Sequence, residues 1–204
     1  MSLISNVPLQ PPLRGCRSPW GGESKPVRTA RTIFLMGLAI ALTACTPAAS
    51  PSQAALQAWL GTNLADVQVQ TLEGTPTTLA QVAQTTPNQP LVINVWATWC
   101  PPCVQELPSL SELATTTSLT VVAIATDATA EAVTQFLAKH PLSPRIVLLH
   151  DPLGRTTRQA MGAVGLPTTL VTNHSLTVVL AEAGERNWAH PSMLAKIQSA
   201  LTSE

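Results

Sequence analysis

Residues 91–108, which read LVINVWATWCPPCVQELP, decide the fold. The stretch begins with six residues of which only one is polar, and such a run is typical of a strand buried on both faces. From Pro101 onward apolar side chains recur on one side of a helix, at Val104, Leu107, Leu110 and Leu113. Pro108 removes a backbone donor inside this helix and predicts a kink. The sequence therefore predicts a buried strand that leads directly into a helix, with Cys100 and Cys103 at the junction.

The rest of the body alternates between strand and helix patterns. Period-two alternation over residues 67–72, followed by a Glu-Gly turn, predicts an N-terminal hairpin. Further strands are predicted at residues 119–125, 145–150, 168–172 and 176–180, the last two joined as a hairpin. Helices are predicted at residues 53–60, 130–139, 156–161 and 191–201. This order predicts an α/β fold in which a central mixed sheet carries helices on both faces.

Composition narrows the function classes. The chain has 204 residues, 45% hydrophobic and 11% charged, a length that suits one domain plus an extension. Eleven basic side chains balance eleven acidic ones, so no basic surplus supports nucleic-acid binding. Charge is too sparse and aliphatic content too high for a disordered chain. A small globular protein with an unusual N-terminus remains.

The N-terminus predicts export. Residues 1–44 hold five basic side chains and one acidic, and residues 32–44 form an uncharged run too short to span a bilayer. The tetrapeptide that ends at Cys45 resembles a bacterial lipobox, in which the cysteine is lipidated and becomes the first mature residue. A plain cleaved signal and an uncleaved short anchor are the alternatives. We expect a leader and signal over residues 1–44, a linker over 45–53 and a domain over 54–204.

The spacing of the cysteines indicates a reactive pair rather than a disulfide that stabilises the fold. Cys16 would leave with the signal and Cys45 would be lipidated, which leaves one pair separated by two residues. A disulfide across so short a span restrains little of the unfolded chain. A zinc site would need two more ligands, and the four histidines show no suitable spacing, so each is expected at the surface or in a turn. We predict no metal and no cofactor.

The position of Cys100 at the junction of a strand and a helix predicts that this cysteine is reactive. A cysteine between a buried strand and a helix meets unpaired backbone N–H groups and the positive end of the helix dipole, which favour the thiolate. Prolines suit a first helical turn, because their missing donors have no helical partner there. Cys100 is therefore predicted to attack a substrate disulfide, and Cys103, one turn along, to resolve the mixed disulfide.

The segment NVWATWCPPCVQELP, residues 94–108, closely resembles the TlpA/ResA/CcmG-like branch of the thioredoxin superfamily. The resemblance covers roughly residues 64–200 and implies a thioredoxin-like fold. A second signature, VGLPTTLV at residues 164–171, resembles the family segment whose proline is cis and lies against the active-site disulfide. That proline is Pro167, and the backbone of Leu166 would pair with bound substrate as an added strand.

The resemblance also suggests roles for other residues. Asn94 stands where thioredoxins of the cytosol carry a buried aspartate, which matches the tethered branch. Glu106 corresponds to a glutamate implicated as proton acceptor or pKa tuner, and a solvated, helix-pairing carboxylate is the alternative. Trp99 is expected to shield Cys100 and to contact substrate. An ordinary turn proline is the alternative for Pro167.

The resemblance implies a membrane-anchored, extracytoplasmic reductant of protein disulfides. Its partners would be exported thiols and disulfides, apocytochrome c among them, and a membrane electron donor of the DsbD/CcdA type. An oxidase or isomerase on the same fold ranks lower, because no second C-x-x-C is present. A peroxiredoxin-like peroxidase would need threonine where Ala97 stands. A non-enzymatic lipoprotein is the remaining alternative.

Overall fold

A computed structural model describes the backbone of residues 51–203 and the side chains of residues 53–203. Cys45, the predicted signal and most of the predicted linker lie outside the described residues. The helix α1, Pro51–Gln57, begins and ends earlier than the helix expected at residues 53–60. Among the described residues, no helix combines the length and apolar character needed to cross a bilayer.

The strands form one sheet whose central part is parallel. Its order is β2-β1-β5-β4-β3-β6-β7, with β3–β4 and β4–β5 parallel and the remaining pairs antiparallel. The bounds are β1 Gln68–Gln70, β2 Pro76–Thr78, β3 Leu91–Trp96, β4 Thr120–Ala125, β5 Val147–His150, β6 Thr168–Thr172 and β7 Val178–Ala183. The expected mixed sheet with an added N-terminal hairpin is confirmed.

Helices cover both faces of the sheet. Along β3, alternate side chains enter opposite cores: Ile93 packs in one apolar cluster and Val92 in the other. Both clusters are built from buried hydrophobic residues, so β3 is covered on both sides, as its apolar run predicted. The remaining helices are α2 Leu79–Thr85, α3 Pro101–Thr116, α4 Ala130–Lys139, α5 Arg155–Met161 and α6 Pro191–Thr202, with a 3-10 turn at Pro152–Gly154. The helix α3 runs on through Pro108.

Two features differ from expectation. The helix α2 has no counterpart among the predicted elements, and it is set by a capping box in which Thr78 and Gln81 each bond the other's backbone N–H. His150 is buried, which corrects the expectation of a surface or turn histidine. Its burial is compatible with a polar ring because Nε2 lies 2.8 Å from the carbonyl oxygen of Asp127 and Nδ1 lies 3.3 Å from Nε2 of Gln70.

Candidate active site

The two cysteines lie where β3 gives way to α3. Cys100 and Cys103 form a disulfide with an S–S distance of 2.06 Å and a Cα–Cα distance of 5.3 Å. Cys103 is fully buried and Cys100 is nearly so. The arrangement is that of an oxidised dithiol, with Cys100 nearer the surface.

Cys100 is also the N-cap of α3. Its backbone is extended, and its Sγ accepts a hydrogen bond of 3.3 Å from the backbone N–H of Cys103. Pro101 and Pro102 fill the first two helical positions, where the absent N–H groups would have had no helical partner. In the reduced protein a thiolate at Cys100 would take the same donor and the positive end of the helix dipole. Because of this local structure, Cys100 should ionise more readily than an ordinary cysteine.

Glu106 is buried one helical turn beyond Cys103, with only 1% of the residue exposed. This position corrects the alternative of a solvated carboxylate. Oε1 accepts a hydrogen bond of 2.6 Å from Nδ2 of Asn94, and Oε2 accepts bonds from the backbone N–H of Arg186, at 3.0 Å, and Nε1 of Trp188, at 3.1 Å. Burial raises the pKa of Glu106 to about 7, while these three hydrogen bonds act in the opposite direction. The carboxyl group can therefore exchange a proton near neutral pH.

Asn94 connects this carboxyl group to the sheet. It is fully buried in β3, and its Nδ2 donates to Glu106 and, at 2.9 Å, to Oγ1 of Thr169 on β6. Its Oδ1 is buried and has no hydrogen-bond partner within the described residues. An amide at this position can orient Glu106 but cannot take up a proton itself, unlike an aspartate.

The segment before β6 lies beside the cysteines. The Leu166–Pro167 peptide bond is cis, as the resemblance implied. Leu166 lines a cavity together with Cys100, and Pro167 lines an adjoining cleft. Within the described residues the backbone of Leu166 makes no hydrogen bond, so its N–H and C=O can pair with another chain.

The cavity beside Cys100 has a volume of about 710 Å³ and an apolar rim. Four large apolar side chains are exposed among residues 53–203, and three of them line this cavity: Trp99, Leu153 and Val164. The fourth, Leu60, is not part of it. Exposed apolar surface gathered around a reactive group is typical of a binding surface. Trp99 was expected in this role, whereas Leu153 and Val164 were not singled out by the sequence.

Asp127 is another residue that the sequence did not single out. It follows β4, is 2% exposed, and lines the same cavity as Cys100. Oδ2 accepts a hydrogen bond of 3.1 Å from the backbone N–H of Thr98, and Oδ1 accepts one of 2.6 Å from its hydroxyl group. A carboxylate directly after a buried parallel strand was the available signal, because the ends of β3 and β4 meet at one edge of the sheet.

The structure brings together most of the residues that the sequence placed in the site. Cys100, Trp99 and Leu166 share the cavity, and Cys103 and Glu106 lie behind it on α3. Within residues 53–203, no group of three or more His, Cys, Asp or Glu side chains could hold a metal ion.

Comparison with known proteins identifies the family. The Redoxin family model matches residues 54–197. The chain belongs to the Redoxin family.

Individual relatives agree. A thiol:disulfide interchange protein DsbE homolog from Paracoccus denitrificans is 31% identical over 115 residues, which are 55% of this chain and 62% of that protein. The structure of a putative thiol:disulfide interchange protein DsbE from Chlorobium tepidum is 26% identical, with a TM-score of 0.59 and coverage of 70% of this chain and 97% of that one. A secreted Mycobacterium tuberculosis disulfide oxidoreductase homologous to E. coli DsbE is 28% identical, with a TM-score of 0.50, over 66% of this chain and 95% of that one.

These relatives support the TlpA/ResA/CcmG-like branch and the thioredoxin-like fold. The matched segments are shorter than the curated relatives themselves, since they span 62% of the Paracoccus protein, 66% of a mycobacterial thioredoxin and 35% of a Haemophilus protein.

Proposed function

We propose that this protein is an extracytoplasmic thiol–disulfide oxidoreductase that reduces disulfides of exported polypeptides through Cys100 and Cys103. The observation that carries the proposal is the Cys100–Cys103 disulfide at the N-terminus of α3, beside a cavity with an apolar rim. Membership of the Redoxin family and similarity to DsbE-type proteins support the same chemistry.

The reaction begins with the dithiol form. The Cys100 thiolate attacks one sulfur of the substrate disulfide, so that the substrate S–S bond breaks and a mixed disulfide forms. The departing substrate sulfur takes up a proton. Cys103 then loses its proton and attacks Sγ of Cys100, which releases the second substrate sulfur as a thiol. Two electrons pass to the substrate, and the protein is left with the Cys100–Cys103 disulfide seen here.

Glu106 is proposed as the proton acceptor for Cys103. The two residues are three apart on α3 and therefore lie on the same side of the helix. A general base is most effective when its pKa is close to the working pH, and burial raises the pKa of Glu106 to about 7. Its hydrogen bonds to Asn94, Arg186 and Trp188 hold both oxygens in fixed directions.

Substrate is proposed to bind across Trp99 and Leu166. The free backbone groups of Leu166 can add an extended substrate segment as a short strand, with the Leu166–Pro167 turn beside it. The apolar rim of the cavity suits an unfolded polypeptide better than a folded, polar surface. An apocytochrome c, whose cysteines must be reduced before haem attachment, is one substrate of this kind.

The proposed location is the outer side of a membrane, where a lipid on Cys45 would hold the domain. Support comes from the basic N-terminus, the short apolar run and the lipobox-like tetrapeptide. A membrane electron donor of the DsbD/CcdA type would regenerate the dithiol, because each cycle leaves the protein oxidised. Replacing Cys45 by Ser should release the protein from the membrane fraction, and unchanged membrane retention would overturn the lipid anchor.

The decisive experiment captures substrates as mixed disulfides with Cys100. In cells that express the full chain as Cys103→Ala, mixed disulfides at Cys100 cannot be resolved and should accumulate with exported proteins. The bands should disappear on reduction and should be absent from a Cys100→Ser, Cys103→Ala control. Failure to trap any protein, with the variant folded and exported, would contradict the proposal.

The direction of electron flow has its own test. Equilibration of the wild-type protein with glutathione redox buffers gives the potential of the pair. A reductant should lie near −200 mV or below, whereas a value near −120 mV, as for a strong oxidant, would reverse the proposed direction.

A further inference from the structure

We propose that Asp127 is a positioning residue for the proposed reduction: it holds the turn that carries Cys100, and its negative charge opposes ionisation of that cysteine. This inference rests on the proposed function, since it concerns how readily Cys100 acts. The helix dipole alone would favour a strongly stabilised thiolate, which is characteristic of an oxidant. A buried carboxylate that lines the same cavity as this sulfur acts in the opposite direction.

The positioning part follows from two hydrogen bonds. Both carboxylate oxygens of Asp127 accept from Thr98, one from the backbone N–H and one from the hydroxyl group. Thr98 lies two residues before Cys100, in the turn between β3 and α3. The pairing therefore ties this turn to the end of the neighbouring strand β4.

The backbone at Asp127 is itself fixed. Its carbonyl oxygen lies 2.8 Å from Nε2 of His150, which makes Nε2 the protonated ring nitrogen. The other ring nitrogen lies 3.3 Å from Nε2 of Gln70 and accepts from that amide. The buried histidine, unexplained by the proposed reaction, thus supports the strand end that carries Asp127.

The charge part follows from what surrounds the carboxylate. Neither salt bridge among the described residues involves Asp127, since both are made by Glu182. Asp127 and Cys100 line one cavity, and the Thr98 backbone that Asp127 binds lies two residues before Cys100. Arg158 on α5 is the other charged side chain that lines it, and it is exposed. The buried titratable groups on the neighbouring elements are Cys103 and Glu106 on α3, His150 on β5 and Asp151 directly after β5, whose carboxylate accepts from the backbone N–H groups of Thr156 and Thr157.

Two variants separate charge from position. Asp127→Asn removes the charge but can keep both contacts, because its oxygen can accept from the Thr98 N–H and its amide can donate to the Thr98 hydroxyl. Thr98→Val removes the hydroxyl group and leaves the charge in place. The reduced full chain is alkylated across a pH series, and the midpoint reports the pKa of Cys100.

Asp127→Asn should lower this midpoint by about one pH unit, since a like charge has been removed. At a pH above the midpoints of both the wild type and the variant, the equilibrium of the variant with glutathione should shift about tenfold toward the dithiol. Its potential should therefore be ~30 mV less reducing than that of the wild type. Thr98→Val should leave the midpoint in place while lowering the thermal midpoint. An unchanged midpoint in Asp127→Asn, or an equal fall in Thr98→Val, would overturn the charge part.

A measurement on the wild-type chain covers the case in which a variant does not fold. Ionisation of Cys100 would change the electric field at a carboxylate close to it. The carbon-13 resonance of the Asp127 carboxyl group should therefore show an inflection at the pH where Cys100 ionises in the reduced protein, and should lose it in the oxidised protein. A resonance with no such inflection would overturn the inference. If the Cys103→Ala variant captured no exported protein as a mixed disulfide, by contrast, that result would contradict the proposed function itself.

Discussion

The indole Nε1 of Trp188 donates a hydrogen bond of 3.1 Å to Oε2 of Glu106, which lies 82 residues earlier in the chain. Both side chains are buried, so the bond forms out of contact with water. The segment before α6 thereby fixes one oxygen of a carboxyl group that lies one turn from Cys103. The proton affinity of that group depends on packing between distant parts of the chain, and it can be altered without touching either cysteine.

Glu106→Gln should slow resolution of the mixed disulfide. The amide cannot take the proton from Cys103, and loss of a general base costs at least about tenfold in rate near neutral pH. In the wild-type protein the rate of this step should rise with pH through about 7, where Glu106 becomes a carboxylate, and the variant should lack this rise. Stopped-flow kinetics on a model disulfide measure both. Glu112→Gln, an exposed glutamate of the same helix, is the matched control and should behave as wild type.

The same carboxyl group should make stability depend on pH. Its pKa is raised from 4.5 to about 7 in the folded protein, so the folded state binds the proton more tightly than the unfolded state. Ionisation of Glu106 in the folded protein therefore lowers the free energy of unfolding. This loss is absent below pH 4.5 and complete above about pH 7, where it amounts to about 3 kcal/mol. Relative to Glu106→Gln, the wild-type protein should therefore lose unfolding free energy as the pH rises from 4.5 to 8. Urea titrations of both oxidised proteins measure the difference, and an equal change in both would contradict the prediction.

Trp188→Phe should raise the pKa of Glu106 further. The ring is largely retained, but the N–H that donates to Oε2 is lost, and hydrogen bonds to a carboxylate favour its charged form. The pH at which the resolution rate rises should move upward. A downward shift would show that altered packing, rather than the lost hydrogen bond, controls the carboxyl group.

Much of the fold could be predicted because the signals are local. The apolar runs at β3 and β4 and the proline-rich helix start at Cys100 are visible in the sequence and correspond to the observed elements. The helix α2 was missed because it is short and weakly patterned, and its start is set by hydrogen bonds between Thr78 and Gln81. Its capping box is a sequence signal that could have located it.

The site could be predicted only where residues are adjacent in the chain or follow a family signature. Cys100, Cys103 and Trp99 are neighbours, and Leu166 and Pro167 were found through the resemblance. The partners of Asp127 and His150 are set by the order of strands in the sheet, since β5 and β3 both lie beside β4. No periodicity in the sequence reports that order, so the burial of His150 and the link from Asp127 to the active-site turn could not be predicted.

Trp99→Ala should weaken substrate binding more than it slows the chemical steps. The indole is 67% exposed and lines the cavity beside Cys100, so its removal takes apolar contact area from a bound polypeptide without opening the core. Burying an aromatic side chain in a complex contributes about 1.5–3 kcal/mol, so KM should rise about tenfold or more while kcat changes little. Steady-state reduction of an unfolded, disulfide-bonded polypeptide measures both constants. Leu60→Ala is the matched control, because Leu60 is also exposed, at 44%, but does not line the cavity. An equal rise in KM for both variants would show that the cavity rim is not where substrate binds.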